Sequence, residues 1–315
     1  MKFTTAFRLI TAAAPGRGWL KFLALFSVAL CAGVPGAQAQ FSSRWLQDDA
    51  YWADGKAEFN LYDAQEVRYG QARPSAVIHI FVREPFSQRE LVKAETNSPA
   101  GSFPVLKLNQ ILHVPTGLYV YQQMHSAFWR VDQGALIKAT LTSNDSCGNT
   151  YKEFRALAGL DAALGAGWSS EWRTYWEGMS AGAEKIRAPE KALFYDELPM
   201  RVRTIDFATG HGEFAVPVAG TIIRSKKDDV QFQPARIQWV VEAEAIRVSV
   251  KLGTNTDEFV LDPQPPYLLR EWKKGDGGSL KLRRSLKIDY WNYNKLGDME
   301  RALRIEEGGR SPAEH

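Results

Sequence analysis

Apolar and polar positions alternate along most of the chain. Ala76-Val77-Ile78-His79-Ile80-Phe81-Val82 is a β-branched run bounded by Pro74 and Pro85, which predicts a strand. Phe103 to Val114 carries Val105, Leu106, Leu108, Ile111 and Leu112, and Thr116-Gly117 turns it into Leu118–Tyr121. The pattern continues through Phe128–Val131, turns at Asp132-Gln133-Gly134 and returns over Ala135–Leu141. Short turns between successive strands predict an antiparallel meander.

Helical spacing is rarer. Asn144-Asp145-Ser146 offers cap residues, and Tyr151, Phe154, Leu157 and Ala158 then follow a helical period up to Gly159. A second short helix is predicted from Pro189 to Leu198, ended by Pro199. Between them Trp168–Gly178 predicts a strand, with Trp172, Thr174 and Trp176 on one face and Arg173, Tyr175 and Glu177 on the other. Beyond Arg201 strands are predicted over Thr221–Arg224, Ala235–Glu242, Ile246–Leu252 and Thr256–Leu261. Tyr267–Lys274 and Ser279–Ile288 flank Gly275-Asp276-Gly277-Gly278, a strong hairpin turn. The fold class is therefore mainly β: a large antiparallel, curved or partly closed sheet with one or two packed helices.

The N-terminus changes the picture. Lys2, Arg8, Arg17 and Lys21 precede the apolar run Phe22–Leu30, and Ala37-Gln38-Ala39 has the small-x-small pattern of a cleavage site. Residues 1–39 thus read as a secretory signal peptide cut before Gln40, which places the mature chain in the periplasm or outside the cell. Bulky Leu30 just before Cys31 argues against lipoprotein processing there. The signal holds four of the 39 basic residues and none of the 36 acidic ones, so 35 basic face 36 acidic residues after cleavage. The basic excess disappears, and with it any argument for nucleic acid as a partner. Cys147 becomes the lone cysteine, which excludes an intramolecular disulfide. No later run is long enough to span a membrane as a helix. Residues 40–305 read as one β-rich domain with strand-rich halves at about 45–182 and 200–295, followed by a polar tail at 306–315.

Four motifs carry a resemblance: Arg83-Glu84-Pro85-Phe86, Val105-Leu106-Lys107-Leu108-Asn109, Ser146-Cys147-Gly148-Asn149, and Leu268-Leu269-Arg270-Glu271-Trp272-Lys273 with Asp276–Leu282. In their order the chain resembles a family of uncharacterised exported bacterial proteins often labelled septum formation inhibitor Maf. True Maf proteins are similar to cytosolic nucleotide pyrophosphatases, an activity that conflicts with export and is not carried over. The final half also resembles envelope proteins with a curved sheet related to lipoprotein-carrier folds, which implies a ligand groove.

Candidate chemistry is sparse. Cys147, placed before Gly148 at a predicted helix start, is the candidate nucleophile of a cysteine-dependent hydrolase, with His79, His113, His125 or His211 as its base. Set against this is a small inert thiol. Trp168, Trp172, Tyr175 and Trp176, with Glu171 and Glu177, could bind a glycan by stacking, although such stripes more often pack a sheet. His211-Gly212-Glu213, and His113 with His125, lack a metal-ligand spacing, so no metal or other cofactor is expected. Seven basic residues, Arg270, Lys273, Lys274, Lys281, Arg283, Arg284 and Lys287, crowd one hairpin, where they could meet anionic lipid or guard a sheet edge. Phosphate loops, nucleophile elbows and zincin helices are lacking. The leading expectation is non-enzymatic binding of an envelope component or apolar, lipid-like ligand in the concavity of the sheet.

Overall fold

The computed structural model describes residues 41–298, apart from 43, 96–100, 158–166 and 228. The signal segment, Cys31 and the tail at 306–315 lie outside the described residues. Period-2 burial, as in Ile246, Val248 and Val250 against Arg247 and Lys251, makes fifteen strands. They are β1 (Ala57–Arg68), β2 (Gln71–Ser87), β3 (Ser102–Pro115), β4 (Val120–Arg130), β5 (Ala135–Asp145), β6 (Gly148–Leu157), β7 (Gly167–Arg173), β8 (Ala181–Arg187), β9 (Leu193–Phe194), β10 (His211–Ala219), β11 (Phe232–Val241), β12 (Ile246–Leu252), β13 (Asn255–Leu261), β14 (Leu269–Lys273) and β15 (Ser279–Ile288).

All fifteen join one sheet, ordered β8 back to β1 and then β15 back to β9. Neighbours are antiparallel except β9 and β10, which are parallel. The sheet is not closed into a barrel. It does bend: Trp168 from β7 and Phe232 from β11, near opposite ends of the strand order, both pack on Phe194, at 5.0 and 6.0 Å. A flat sheet could not bring those side chains together. Two four-residue helices, α1 (Asp49–Trp52) and α2 (Leu198–Arg201), pack against the concave face through Trp52, Leu198 and Met200.

The connection from β8 to β10 crosses the concavity as a plug. Its Leu198, Met200, Val202 and Arg203 are fully buried, and its residues belong to the two main apolar clusters. Pro199 lies in the first turn of α2, where its missing N–H leaves no bond unmade. The helix expected to end at Pro199 therefore begins beside it.

Other expectations need correction. The helix expected after Asn144 is strand β6, with Thr150, Lys152 and Phe154 facing inward. Helical spacing of Tyr151, Phe154 and Leu157 was coincidental, and pairing to both β5 and β7 decides the conformation. Asp145 does cap, but it caps a turn, accepting the Cys147 N–H at 3.2 Å. The strand expected over 168–178 stops at Arg173, and Thr174–Ser180 form the turn into β8. Strand β2 runs through Pro74 and Pro85; Pro85 pairs opposite Pro104, so the missing donors fall at one level of the ladder. Residues 221–224 are irregular. The basic hairpin is no edge guard either. Strands β14 and β15 lie within the sheet, whose edges are β8 and β9. Lys274 pairs with Glu66, Lys287 with Asp54, and Arg270 with Asp262.

One ion pair binds sheet to plug. Arg203 donates to both carboxylate oxygens of Glu58, at 2.7 and 2.8 Å, and neither side chain is exposed at all. The Pro266 carbonyl accepts from the same guanidinium, at 2.9 and 3.1 Å, while the Trp45 and Phe81 rings stack on it at 4.4 and 4.8 Å. Tyr51 Oη and Asn60 Nδ2 complete the Glu58 shell. Burial alone would raise the Glu58 pKa, but Arg203 outweighs it and holds the carboxyl below its ordinary value. Removing one partner of such a pair strands a buried charge, at a typical cost of about 3–5 kcal/mol. Glu58→Leu should therefore lower unfolding free energy by that amount in urea titrations. Adding Arg203→Met should recover most of the loss, and a single variant costing under ~1 kcal/mol would contradict this role.

Candidate functional site

Register brings together a row that no stretch of sequence displays. Asn60 on β1 pairs with His79 on β2, His79 with Gln110 on β3, and Gln110 with His125 on β4. The same level continues through Leu141, Lys152 and Trp172 to Gly182 on β8. Asn60, His79, Gln110, His125 and Lys152 are all buried. A polar belt thus crosses the concave face between apolar levels, Phe81 and Leu108 above it and Val77 and Leu112 below.

The plug docks on this belt. Gln110 Nε2 donates to the Asp196 carbonyl at 2.6 Å and approaches His125 Nδ1 at 3.0 Å. That contact makes Nδ1 the acceptor and puts the His125 proton on Nε2. Lys152 Nζ donates to the Lys226 carbonyl at 3.0 Å. Glu197 accepts from Trp129 Nε1, Arg201 Nε and the Phe194 N–H. Thr221 Oγ1 and the Ile222 N–H satisfy the Asp196 carboxylate, both at 2.6 Å. The chain's own residues therefore fill the concavity that the sequence offers to an apolar ligand.

Burial controls the titration of the belt. It lowers the His79 pKa to about 3, helped by the positive charges of Lys274 and Arg203 and, once it is protonated, of His125. It lowers His125 to about 3 as well, with Glu197 opposing and Lys152 adding. Asp196 moves up, because burial outweighs its hydrogen bonds. At neutral pH both histidines are uncharged.

The residues singled out from sequence are dispersed. Cys147 is exposed in the β5–β6 turn, with no helix beginning there. Among the described residues it makes no hydrogen bond to a histidine. His79 and His125 are inside, and His113 and His211 are on the surface. Of the aromatic cluster, Trp168 is buried edge-on to Phe194 at 5.0 Å. Trp172 lies across Gly182, where a Cβ would come within 2.4 Å of the ring. Tyr175 and Trp176 are in the following turn, Tyr175 72% exposed and packed over Gly148. Lys227 and Lys226 lie over Trp172 and Trp176, at 4.9 and 4.6 Å, so ammonium groups already occupy those faces. No His/Cys/Asp/Glu group among the described residues has the geometry to hold a metal.

The apolar opening is on the other side. A groove of about 520 Å³ runs along the outer face of β1, β2 and β15, lined by Phe59, Leu61, Ile78, Leu286 and Ile288, with Tyr290 from the following 3₁₀ turn. Asn294, Lys295 and Asp298 supply polar groups at its border, Asp298 accepting the Lys295 N–H at 2.9 Å. Phe59, Leu61 and Ile78 are only half-buried, Phe59 packing on Tyr290 at 5.9 Å, whereas Leu286 and Ile288 beside them are buried. Alternation hid this groove, since outward positions of strands are ordinarily polar.

Compared with known proteins, the chain matches no family model, no curated protein and no solved structure. No helix among the described residues is long and apolar enough to cross a membrane.

The belt makes acid stability testable. A histidine whose folded pKa lies below its unfolded value binds more protons unfolded, so stability is full above the unfolded value and falls as pH drops toward the folded one. For His79 and His125 that window runs from 6.5 down to about 3. Each should remove up to ~1.4 kcal/mol per pH unit within it. Asp196 acts in the opposite sense, and the lowered Glu58 adds its own loss below 4.5. Urea midpoints should therefore fall steadily from pH 7 to 5, and His79→Phe should flatten that slope by about half. A midpoint constant over this range would contradict the burial of neutral histidines.

Proposed function

We propose that this is a non-enzymatic binding protein of the bacterial envelope that takes an acyl-type apolar ligand in its outer-face groove. The observation that carries the reading is the groove itself: about 520 Å³ of apolar lining on a sheet face where polar residues would be expected. Its volume and few polar border groups match ordinary ligand pockets. In this reading a hydrocarbon chain lies against Leu61, Ile78 and Leu286, and a polar head lies toward Asn294 and Lys295, with Asp298 beside them. Export, read from the first 39 residues, supplies the compartment in which such ligands occur. Lys226 and Lys227 over the tryptophan faces, and the exposed turn position of Cys147, favour this reading over glycan stacking or cysteine chemistry.

The test is binding of cis-parinaric acid to the purified full-length protein. Saturable fluorescence enhancement is expected, with Leu61→Glu and Ile78→Glu each weakening it at least tenfold while circular dichroism stays unchanged. Unaltered binding in both variants would sink the proposal. A dimer that Leu61→Glu dissociates, without fatty-acid binding, would assign the groove to self-association instead.

A further inference from the structure

The turns that follow β15 form one lip of the outer groove. Tyr290, Tyr293, Asn294, Lys295 and Asp298 line it, whereas Trp291 and Leu296, lying among them in sequence, do not. Both are open to water, Trp291 at 45% and Leu296 at 107% of full exposure. The lip is nonetheless built. The Asn292 N–H donates to the Asp289 carbonyl at 2.9 Å, the Tyr293 N–H to that of Tyr290 at 3.0 Å, and the Asp298 N–H to that of Lys295 at 3.1 Å. Trp291 packs edge-on against Tyr290 at 5.4 Å. Local hydrogen bonds therefore hold two large apolar side chains in water, where the hydrophobic effect disfavours them.

A lone exposed apolar residue is ordinary, and Leu118 in the β3–β4 turn, at the far end of the sheet, is as exposed. Leu296 differs in its company. Between Trp291 and Leu296 the lip carries an indole, a phenol, a lysine and a leucine, a set that suits a bilayer interface. Aromatic rings rest at the level of the headgroups, a lysine stem lies along apolar surface with its ammonium near phosphate, and leucine enters the hydrocarbon. Charge contributes little. Lys295 and Arg283 are exposed, but Asp289 in the lip, and Asp63 opposite Lys281, offset them. Apolar insertion therefore carries the contact, and such a contact survives salt that screens ion pairs.

We propose that this lip docks on a phospholipid bilayer, with Leu296 and Trp291 entering the interface. A bilayer is favoured over a protein partner because the lip borders the groove. An acyl chain leaving a bilayer there meets Phe59 and Leu286 without crossing water. That last step rests on the acyl-ligand reading of the groove; the docking itself does not.

The experiment follows backbone hydrogen exchange of the full chain, peptide by peptide, with and without mixed vesicles of phosphatidylethanolamine and phosphatidylglycerol. Exchange over residues 290–297 should slow at least threefold on vesicles, and the protection should persist in high salt. Peptide resolution separates this from any contact made by the apolar run at 22–30. Leu296→Asp and Trp291→Ser should each remove the protection while parinaric acid binding in solution stays within twofold. Leu118→Asp should alter neither. Leu61→Glu should lose parinaric acid and keep the lip protected, so the groove reading and the docking fail separately. Unchanged exchange over 290–297, equal protection in Leu296→Asp, or protection that needs no lipid and rises with protein concentration would each overturn the proposal, the last assigning the lip to a second copy.

Discussion

The fold depends on the contact between Arg203 and Glu58. Both groups are withdrawn from water, and an isolated charge in such a place would cost far more than folding can supply. Here every strong demand is met. The carboxylate receives Arg203, Tyr51 and Asn60, and the guanidinium reaches Pro266 as well and is sandwiched by Trp45 and Phe81. Five separate stretches meet there: the N-terminal segment, β1, β2, the plug, and the loop between β13 and β14. Apolar contact alone would let the plug slide; a bidentate pair fixes its position and orientation.

The polar belt extends the same logic. Alternating strands would ordinarily give a concave face of aliphatic side chains, filled by a plug of like character. Instead Gln110 reaches a carbonyl of the crossing segment, Lys152 reaches a carbonyl of the β10–β11 connection, and Trp129 reaches Glu197. The core is specified by hydrogen bonds as well as by volume, and it leaves no room for a large apolar guest. Apolar surface appears outside instead, along β1, β2 and β15, so the two faces have exchanged their customary roles there.

How much of this the sequence discloses depends on the range of each interaction. Turns such as Gly275–Gly278 and alternating runs such as Ile246–Leu252 announce themselves locally, and the mainly β, curved sheet follows from them. The stretch after Asn144 misleads because Tyr151, Phe154 and Leu157 happen to fall at helical spacing, although only Phe154 of the three is buried, and only its two flanking partner strands reveal a strand. The belt is invisible for another reason. His79, Gln110 and His125 lie on three strands, and each looks like one polar residue interrupting an apolar run. Only register shows them as neighbours. Cys147 and the Trp168–Trp176 aromatics stood out because their residue types are distinctive, yet distinctive chemistry does not ensure proximity.

The strand order carries a final implication. Reading across the sheet from β9, the strands come as β9 to β15 and then β1 to β8, and from β10 onward this is an antiparallel meander whose chain has been opened in the middle. The β1–β15 ladder, pairing Ala57 with Ile288, is the one connection made across nearly the whole described chain. Loop-closure entropy sets against such a ladder a cost that the local hairpins escape. A circular permutant that fused the ends of β15 and β1 and opened between β8 and β9 would turn that distant seam into one more hairpin. In the native chain the sheet is continuous only through β15 joining β1, so its central ladder depends on both ends of the described chain.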